Sequence, residues 1–433
     1  MLTAKSDISA ENVDWWFMYK LPHNIGPSSQ KTTGNEYLYY QSCGEQPLAL
    51  SPYRLGTGEN GALYHTLKQL FPSDDANIGW INYNDEYPYS MTADDFAKDV
   101  KPAFYGENVR EKDRNHPIDN AHNGHCKGTL AFDLTSNTAF WLSHSTPRIP
   151  GLNLDNDMQY FYPEYAYQYA QTFICISLED VSTADKIAAV LAEQHEPQVF
   201  GVHLPEAVTQ DSQYANLWRL AQGINPPAYT KSFAEHHPQK APADIEFKSK
   251  AGKIFRLIAK SGAWYDDFWI NLVGPKLGVD LRVETWRRLT STANLPTEDK
   301  GDSPSDYGKQ DFVTTYKGRE YHHEFVDRDG QDIVDEITNV DLQMIADSEG
   351  NQLTGFNWPY TKDHAKWAIS EEKDDRGNTD IEDEQPEQDA WVCIADMNRM
   401  SSQEKRGGGA ICFHETLLWQ GLNEIERISG KIT

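Results

Sequence analysis

The sequence contains two short motifs in which a histidine and a lysine are separated by one residue. The first is His125-Cys126-Lys127 and the second is His364-Ala365-Lys366. Residues i and i+2 of an extended strand project to the same side of it. We therefore predict that each motif lies on a strand and presents its histidine and its lysine together. The motifs lie about half of the chain apart, which favours a duplicated unit whose halves meet face to face.

Two such pairs would suit the cleavage of a phosphodiester. The negative charge of a phosphodiester repels nucleophiles, and two lysines would neutralise that charge as the transition state forms. One imidazole can attack phosphorus and form a phosphohistidine. The other can protonate the departing oxygen and later act as a base on water. Because this chemistry requires no metal, we expect neither a metal site nor a cofactor.

Each motif is followed by a further predicted strand that ends in a polar cluster. Phe140–Ser143 leads to His144 and Ser145, and Trp391–Ala395 leads to Asp396-Met397-Asn398-Arg399. Hydrogen-bond donors aimed at the non-bridging oxygens of a phosphate stabilise its transition state. We expect Asn398, together with Ser145 or His144, to supply such donors.

The remaining patterns predict an α/β protein. Helical periodicity predicts helices over Thr183–His195, over Lys250–Lys260 and over Thr416–Ile428, with Ser182 and Asp185 capping the first of them. Aromatic or alternating apolar runs that are bounded by turn residues predict strands. These runs are Asp14–Lys20, Tyr37–Gln41, Gly79–Tyr83, His125–Leu134, Ala139–Ser143 and Leu281–Thr285.

The length of 433 residues exceeds the size at which a single core usually stops growing, which favours two halves. The proline- and lysine-rich stretch Asn225–Ala243 is a predicted connector, and we place the halves at residues 1–235 and 236–433. Two acidic stretches in the second half, Glu298–Asp311 and Glu371–Asp389, are expected to be solvated insertions.

The net charge of −27 argues against a general nucleic-acid-binding protein, because such proteins are usually basic. Protonation of the fourteen histidines at acid pH would reduce this charge by roughly half. No run of apolar residues is long enough for a membrane-spanning helix, so we expect a soluble protein with no membrane partner. No secretory signal is visible at the N-terminus, and the compartment stays open between the cytoplasm and export followed by processing.

Several motifs follow one another in a fixed order along nearly the whole chain. They are Val13-Asp14-Trp15 with Tyr19-Lys20-Leu21-Pro22, His125-Cys126-Lys127-Gly128, Trp141-Leu142-Ser143-His144-Ser145-Thr146-Pro147, Asp363-His364-Ala365-Lys366-Trp367, Asp396-Met397-Asn398-Arg399 and Arg406-Gly407-Gly408-Gly409. In this order the set resembles the acid (type II) deoxyribonucleases, including bacterial members. That family belongs by fold to the phospholipase D-like phosphodiesterases.

The resemblance implies two pseudo-symmetric phospholipase D-like halves, each a mixed sheet flanked by helices, with the active site in the cleft between them. It transfers the two catalytic motifs of the family to His125 with Lys127 and to His364 with Lys366. It also implies an endonuclease that hydrolyses DNA without a divalent metal, favours acid pH and leaves 3′-phosphate ends. We further expect Arg399 and Arg406 to contact the DNA backbone.

The cysteines agree only in part with this family. Cys393 and Cys412 match a family disulfide, which would brace the loop that carries Asn398. Cys126 stands where the family usually has threonine, and we expect a small buried residue there rather than a redox-sensitive thiol. Cys175 lies in a matching segment, but the half-cystine expected to pair with it has no clear counterpart.

The sequence offers less support for other functions. A zinc site would need converging ligands at a recognisable spacing, and the sequence contains no His-Glu-x-x-His. The run Arg406-Gly407-Gly408-Gly409 lacks the arrangement of a nucleotide-binding loop, and we expect a flexible loop near the site. The alternatives that remain are a catalytically weak DNA-binding relative and a phosphodiesterase acting on another diester such as a phospholipid. A homodimer is a further expectation.

The roles of the two histidines are only weakly separated by the sequence. Asp363 precedes His364, and a nearby carboxylate favours the protonated imidazole that a general acid requires. Gly124 precedes His125, which therefore has no acidic neighbour in the sequence. On this basis we expect His125 to be the nucleophile and His364 to be the general acid and later base.

Overall fold

A computed structural model describes most of the chain. The described residues are 1–42, 46–70, 75–85, 122–147, 149, 151–153, 159–162, 164–230, 240–287, 312–316, 319–323, 334–371 and 390–428. The predicted insertion Glu298–Asp311 lies outside these residues, as do nearly all of Glu371–Asp389 and the proposed boundary at 235/236. The division into residues 1–235 and 236–433 therefore stays a prediction.

The strands of the first half are β1 (Ala4–Lys5), β2 (Asn12–Val13), β3 (Trp15–Lys20), β4 (Glu36–Gln41), β5 (Ala49–Arg54), β6 (Ile78–Tyr83), β7 (Gly128–Asp133), β8 (Thr138–His144), β9 (Gly151–Asn153), β10 (Gln159–Phe161), β11 (Gln171–Leu178) and β12 (Val199–His203). Those of the second half are β13 (Ala243–Lys248), β14 (Ile254–Lys260), β15 (Leu281–Thr285), β16 (Phe312–Tyr316), β17 (Arg319–His323), β18 (Val334–Asp341), β19 (Asn357–Pro359), β20 (Lys366–Ser370), β21 (Trp391–Ala395), β22 (Gly408–His414) and β23 (Glu426–Ile428).

Helices are fewer and shorter. The α-helices are α1 (Ala62–Leu67), α2 (Val181–Val190), α3 (Ala215–Ala221), α4 (Gly274–Leu277), α5 (Ser401–Glu404) and α6 (Thr416–Ile425). A π-helical segment, Leu191–His195, continues α2, and another, Trp269–Val273, leads into α4. Short 3₁₀ turns lie at Glu164–Tyr167, Gly262–Trp264 and Tyr360–Lys362. No helix in the described ranges is both long and apolar enough to cross a membrane.

Two large sheets, one from each half of the chain, share a central core. The first has the order β12-β6-β7-β8-β11-β3-β4-β5, and its neighbouring strands all pair antiparallel. The second has the order β13-β14-β22-β21-β20-β15-β18-β19, with β23 beside β18. Only β15 and β18 pair in parallel among its described neighbours. The expectation of a mixed sheet in each half is therefore wrong for the first half and holds for the second.

Strand β3 shows how the layers form. Trp15, Phe17 and Tyr19 belong to the central cluster, which also includes Phe255 and other residues of the second sheet. Trp16 and Met18 point the other way, into a cluster that α1 covers. Because alternate side chains of a strand face opposite sides, both faces of this sheet are buried. The two halves are therefore packed on one continuous hydrophobic core.

The order of the strands repeats between the sheets. In the first sheet β6, β7, β8, β11 and β3 are consecutive neighbours, and in the second sheet β15, β20, β21, β22 and β14 are. In each series the first strand, β6 or β15, precedes a His-x-Lys motif in the chain. The second strand begins directly after the lysine of the motif in β7 and at the lysine itself in β20. A helix then follows the fourth strand, α2 in the first half and α6 in the second. This arrangement places the two motifs at corresponding positions, and phospholipase D-like symmetry stays a prediction.

Most predicted strands are confirmed, and the helices need correction. The segment predicted as the helix Lys250–Lys260 contains the strand β14. Phe255 and Leu257 face the central core and Ile258 faces the opposite cluster. A strand buried on both faces loses the polar alternation that distinguishes it from a helix, which explains the error.

Two further helix details differ from prediction. Asp180, rather than Ser182, caps α2, because its side chain accepts the backbone N–H of Thr183. Asp185 instead accepts the backbone N–H groups of Asn216 and Leu217 at the start of α3. The C-terminal helix ends at Ile425, three residues earlier than predicted, because the chain continues into β23.

Candidate active site

His125 is held by backbone groups of the other half of the chain. Its backbone N–H donates to the carbonyl of Gly407 at 2.9 Å, and its ring Nδ1 lies 2.8 Å from the carbonyl oxygen of Asp396. A carbonyl can only accept a hydrogen bond, so Nδ1 carries the hydrogen. The second ring nitrogen, Nε2, is then the one available for chemistry. Contrary to prediction, His125 and Lys127 immediately precede strand β7 rather than lying on it.

Lys127 and His125 both contact a carboxylate that the sequence patterns did not single out. Asp85, two residues after β6, places Oδ1 2.8 Å from Lys127 Nζ and Oδ2 3.3 Å from His125 Nε2. Burial alone would raise the pKa of Asp85, but Lys127, His125 and Arg406 hold it well below its usual value. Asp85 is therefore ionised between the two groups of the first motif.

The second motif lies against aromatic rings instead of a carboxylate. His364 stacks on Tyr169 with ring centroids 4.0 Å apart and an interplanar angle of 18°, and Trp286 lies 5.0 Å away. Its backbone N–H donates to the carbonyl of Ala170 at 2.9 Å, so the first half of the chain positions it. Lys366 begins strand β20, and its Nζ donates to the carbonyl of His364 at 2.5 Å.

The charges of the two motifs influence each other. Burial and then Lys127 lower the pKa of Lys366 to about 7, although Asp85, Asp396 and Asp363 oppose that shift. Burial, Lys366 and Lys127 lower the pKa of His364 far below its usual value. Two lysines that are 239 positions apart in an acidic chain thus form one local concentration of positive charge.

Asp363 does not act on the neighbouring imidazole. Its carboxylate accepts hydrogen bonds from the Tyr19 hydroxyl, from Trp358 Nε1 at 2.7 Å and from the backbone N–H of Ala365 at 2.8 Å. All three donors hold it inside the shared core, where burial raises its pKa. Asp363 was expected to favour a protonated His364, but its carboxylate is bound to other groups and does not contact that imidazole.

The predicted supporting residues have different surroundings. His144 is buried beside Phe173, and burial together with Lys127 lowers its pKa to about 3. The Ser145 hydroxyl donates to Gln171 Oε1 at 2.5 Å and accepts the backbone N–H of Thr172 at 2.9 Å, so it is occupied by structural bonds. Asn398 follows β21, and its buried Oδ1 has no hydrogen-bond partner within the described part of the chain.

The two arginines expected to contact DNA are both engaged by the protein, to different degrees. Arg399 is fully buried. Its Nε and its Nη2 donate to Asp267 Oδ2 at 3.1 Å and 2.8 Å, and its Nη1 donates to Glu336 Oε1 at 2.9 Å. A guanidinium without exposed surface cannot reach a phosphate backbone, so the prediction for Arg399 is wrong. Arg406 is partly exposed, and it donates to the carbonyls of Asn123 and Gly124. Its contact with DNA stays a prediction.

The glycine run after Arg406 is not a flexible loop, as had been predicted. Gly408 and Gly409 are the first residues of β22. A Cβ on Gly407 would collide with the backbone carbonyls of Gln194 and His195, and one on Gly124 would collide with the latter. Glycine is therefore needed because the backbones of the two halves approach closely behind His125.

Cys393 and Cys412 form the expected disulfide, which joins opposed residues of β21 and β22. The bridge lies just before the segment that carries Asp396 and Asn398. Cys126 and Cys175 are buried free thiols, and burial raises the pKa of each well above its usual value. A buried neutral thiol at Cys126 agrees with a packing role. Cys43 lies outside the described residues.

Four residues of this site were missed or given no role from the sequence. Asp85 follows a predicted strand, and that position is the signal that could have identified it. His195 Nε2 lies 3.3 Å from Asp396 Oδ2, and no sequence pattern joins these residues. Tyr169 and Trp286 flank His364 but resemble the many other aromatic residues of the chain. Within the described ranges, no group of three or more His, Cys, Asp or Glu side chains is arranged to hold a metal ion.

Comparisons with known proteins match this chain along nearly its whole length. The family described as Deoxyribonuclease II matches residues 6–428. A protein of Burkholderia pseudomallei whose name refers to deoxyribonuclease-2 is 33% identical over 438 residues, covering 99% of this chain and 93% of the relative. Deoxyribonuclease-2 of Caenorhabditis elegans is 27% identical, with 97% and 91% covered. Deoxyribonuclease-2-alpha of Rattus norvegicus is 25% identical, with 96% and 91% covered.

Proposed function

The chain belongs to the deoxyribonuclease II family and is a hydrolase of DNA, and from this premise we propose that it is a metal-independent endonuclease. It acts at acid pH through a phosphohistidine and leaves 3′-phosphate ends. The observation that supports this proposal is that each His-x-Lys motif is held by the other half of the chain. His125 contacts the carbonyl oxygens of Gly407 and Asp396, and the backbone N–H of His364 donates to Ala170. In each motif the lysine Nζ donates to the backbone carbonyl of its own histidine.

In the proposed reaction the scissile phosphate binds where the two motifs meet. One imidazole attacks phosphorus while the other donates a proton to the departing 5′-oxygen. Water then attacks the phosphohistidine, helped by the imidazole that has lost its proton, and a 3′-phosphate is released. Lys127 and Lys366 stabilise the charge on the non-bridging oxygens in both steps. Asn398 is the candidate for a further polar contact with these oxygens.

The first experiment is incubation of the purified protein with plasmid DNA and an excess of chelator. We expect the rate of nicking to be unchanged, because protonated lysines rather than a metal ion screen the phosphate. Gel electrophoresis of the plasmid forms measures this rate. Complete loss of nicking, with rescue by added zinc or magnesium, would show that the mechanism is wrong.

The rate of nicking is expected to be highest at acid pH and to decline as the pH rises through about 7, the pKa of Lys366. The direction follows from the charge, because Lys366 is a cation below its pKa and loses that charge above it. Replacement of Lys366 by Arg should move the alkaline limb upward, since a guanidinium stays protonated. An alkaline optimum in the native protein would contradict the proposal.

The same assays separate the remaining alternatives. A catalytically weak DNA-binding relative would bind the plasmid without nicking it at any pH. A phosphodiesterase for lipids would release the headgroup of a phospholipid faster than it nicks DNA. Light scattering on the purified protein tests the expected homodimer, since a monomer has a mass of 49.3 kDa.

A further inference from the structure

Asp85 has no role in the proposed reaction, although it lies at its centre. The side chain is only 8% exposed, and it contacts both groups of the first motif, at 2.8 Å from Lys127 Nζ and 3.3 Å from His125 Nε2. Burial, and then Lys127, lower the pKa of His125 well below its usual value, and Lys366 and Arg406 add to that shift. Asp85 acts in the opposite direction and favours the charged imidazole.

The tautomer of His125 follows from its two contacts. Nδ1 faces the carbonyl oxygen of Asp396 and therefore carries a hydrogen. If Nε2 carried none, its lone pair would face the ionised carboxylate of Asp85, which is repulsive. A proton on Nε2 turns that repulsion into an ion pair. The contacts of the ring are thus satisfied when His125 is an imidazolium.

His364 has the opposite surroundings. Its ring lies between Tyr169 and Trp286, and its Nε2 has no hydrogen-bond partner within the described residues. The lysines that act on it most strongly are Lys366, Lys127 and Lys20, and Asp85 opposes them only weakly. A neutral imidazole with an available lone pair is the form that attacks phosphorus.

We propose that Asp85 is a positioning residue that favours the protonated form of His125 against the effect of burial and the nearby lysines, so that His125 is the general acid and His364 is the nucleophile. This inference rests on the proposed function and reverses the assignment expected from the sequence. That expectation relied on Asp363, whose carboxylate is bound to Tyr19, Trp358 and the backbone of Ala365. The carboxylate that does reach a catalytic imidazole belongs to Asp85 and contacts His125.

The proposed reaction has two steps. A ring nitrogen of His364 forms a bond to phosphorus as the bond between phosphorus and the 5′-oxygen breaks, and the proton on His125 Nε2 moves to that oxygen. Neutral His125 then accepts a proton from water as its oxygen attacks phosphorus. The P–N bond to His364 breaks, and a 3′-phosphate leaves. Asp85 holds the proton on His125 before the first step and again after the second.

The test compares two leaving groups in the full-length protein and in its Asp85→Asn variant. Breaking a DNA linkage expels an alkoxide, which needs a proton, whereas thymidine 3′-(4-nitrophenyl phosphate) expels a nitrophenolate, which does not. We expect the variant to lose about 10²–10⁴-fold in kcat on an oligonucleotide and less than about tenfold on the nitrophenyl ester. Because His125 must be protonated to act as the acid, the alkaline limb of the pH profile of the variant on the oligonucleotide should also shift to lower pH. Asp85→Glu, which keeps the charge, should retain part of the activity.

Asp75→Asn serves as a matched control, because Asp75 is exposed just before the same strand β6 and an asparagine can keep its turn. Equal losses on both substrates would reduce Asp85 to a structural role and overturn the inference. If Asp85→Asn had a lower KM and cleaved DNA faster than the native protein, Asp85 would only compete with the phosphate for the site. That result would also overturn the inference.

A second measurement does not depend on any variant. Native protein quenched at the start of turnover on the nitrophenyl ester should carry its phosphoryl-linked label on His364, as mapped by mass spectrometry. A label on His125 would overturn the inference while leaving the proposed function intact. Native protein that cleaves neither substrate would instead reject the proposed function, and the assignment of roles with it.

Discussion

Alanine at His364 or at His125 is expected to lower the turnover of DNA by about 10³-fold or more, since one imidazole bonds to phosphorus and the other moves the proton. Each histidine is required in both half-reactions, and residues that act as a unit have non-additive effects. The double variant should therefore be little worse than either single variant. Initial rates of plasmid nicking at acid pH measure these losses.

The control for this pair is His23→Ala, because His23 is an exposed histidine outside the site. It should retain the native rate. Circular dichroism and thermal unfolding should show that all variants remain folded, because His125 and His364 contribute rings at the site rather than to the central core. Nicking by the double variant at a rate near that of the native protein would show that His125 and His364 do not form the active site.

Replacement of Arg399 by Met is expected to lower the free energy of unfolding by about 3–5 kcal/mol, because it leaves Asp267 buried without its ion-pair partner and removes one of the two arginines that pair with Glu336. The side chain of Arg399 is fully buried, and its guanidinium bonds to both carboxylates. Chemical denaturation monitored by tryptophan fluorescence measures the change.

Arg219→Met is the matched control, since Arg219 pairs with Glu193 at 2.9 Å on the surface with both side chains nearly half exposed. An exposed pair of this kind contributes about 1 kcal/mol or less. If Arg399 contacted DNA instead, its replacement would leave stability unchanged and reduce the salt dependence of DNA binding. Because the guanidinium of Arg399 is buried, we expect the loss of stability and no change in the salt dependence of DNA binding.

Local patterns in the sequence were sufficient for the elements that carry the motifs. Strands β7 and β8 correspond to two predicted strands and pair as a hairpin, with Gly128 opposite Ser143, because Leu130 and Phe132 alternate and a polar turn follows. The spacing of one residue between histidine and lysine is likewise a local property. These features depend on residues close in the chain, and their periodicity is visible without the fold.

Local patterns were misleading for residues that are buried by distant parts of the chain. Strand β14 has apolar residues on both faces, with Leu257 on one and Ile258 on the other, so its polar residues do not alternate strictly with its apolar ones, and the helical prediction was wrong. Arg399 was predicted to contact the DNA backbone, but its side chain is fully buried. Its carboxylate partners, Asp267 and Glu336, lie far away in the chain, and only the packing of the second half brings them together.

The sequence by itself determined the chemical groups of this protein: two histidines, two lysines and a pair of cysteines in an order typical of one family. Only the tertiary structure decided what surrounds each histidine. Asp363 is adjacent to His364 in the chain but is bound within the core, whereas Asp85 lies forty residues before His125 and contacts its ring. The protonation of an imidazole depends on the charges and the burial around it in space, and neither quantity follows from adjacency in the chain.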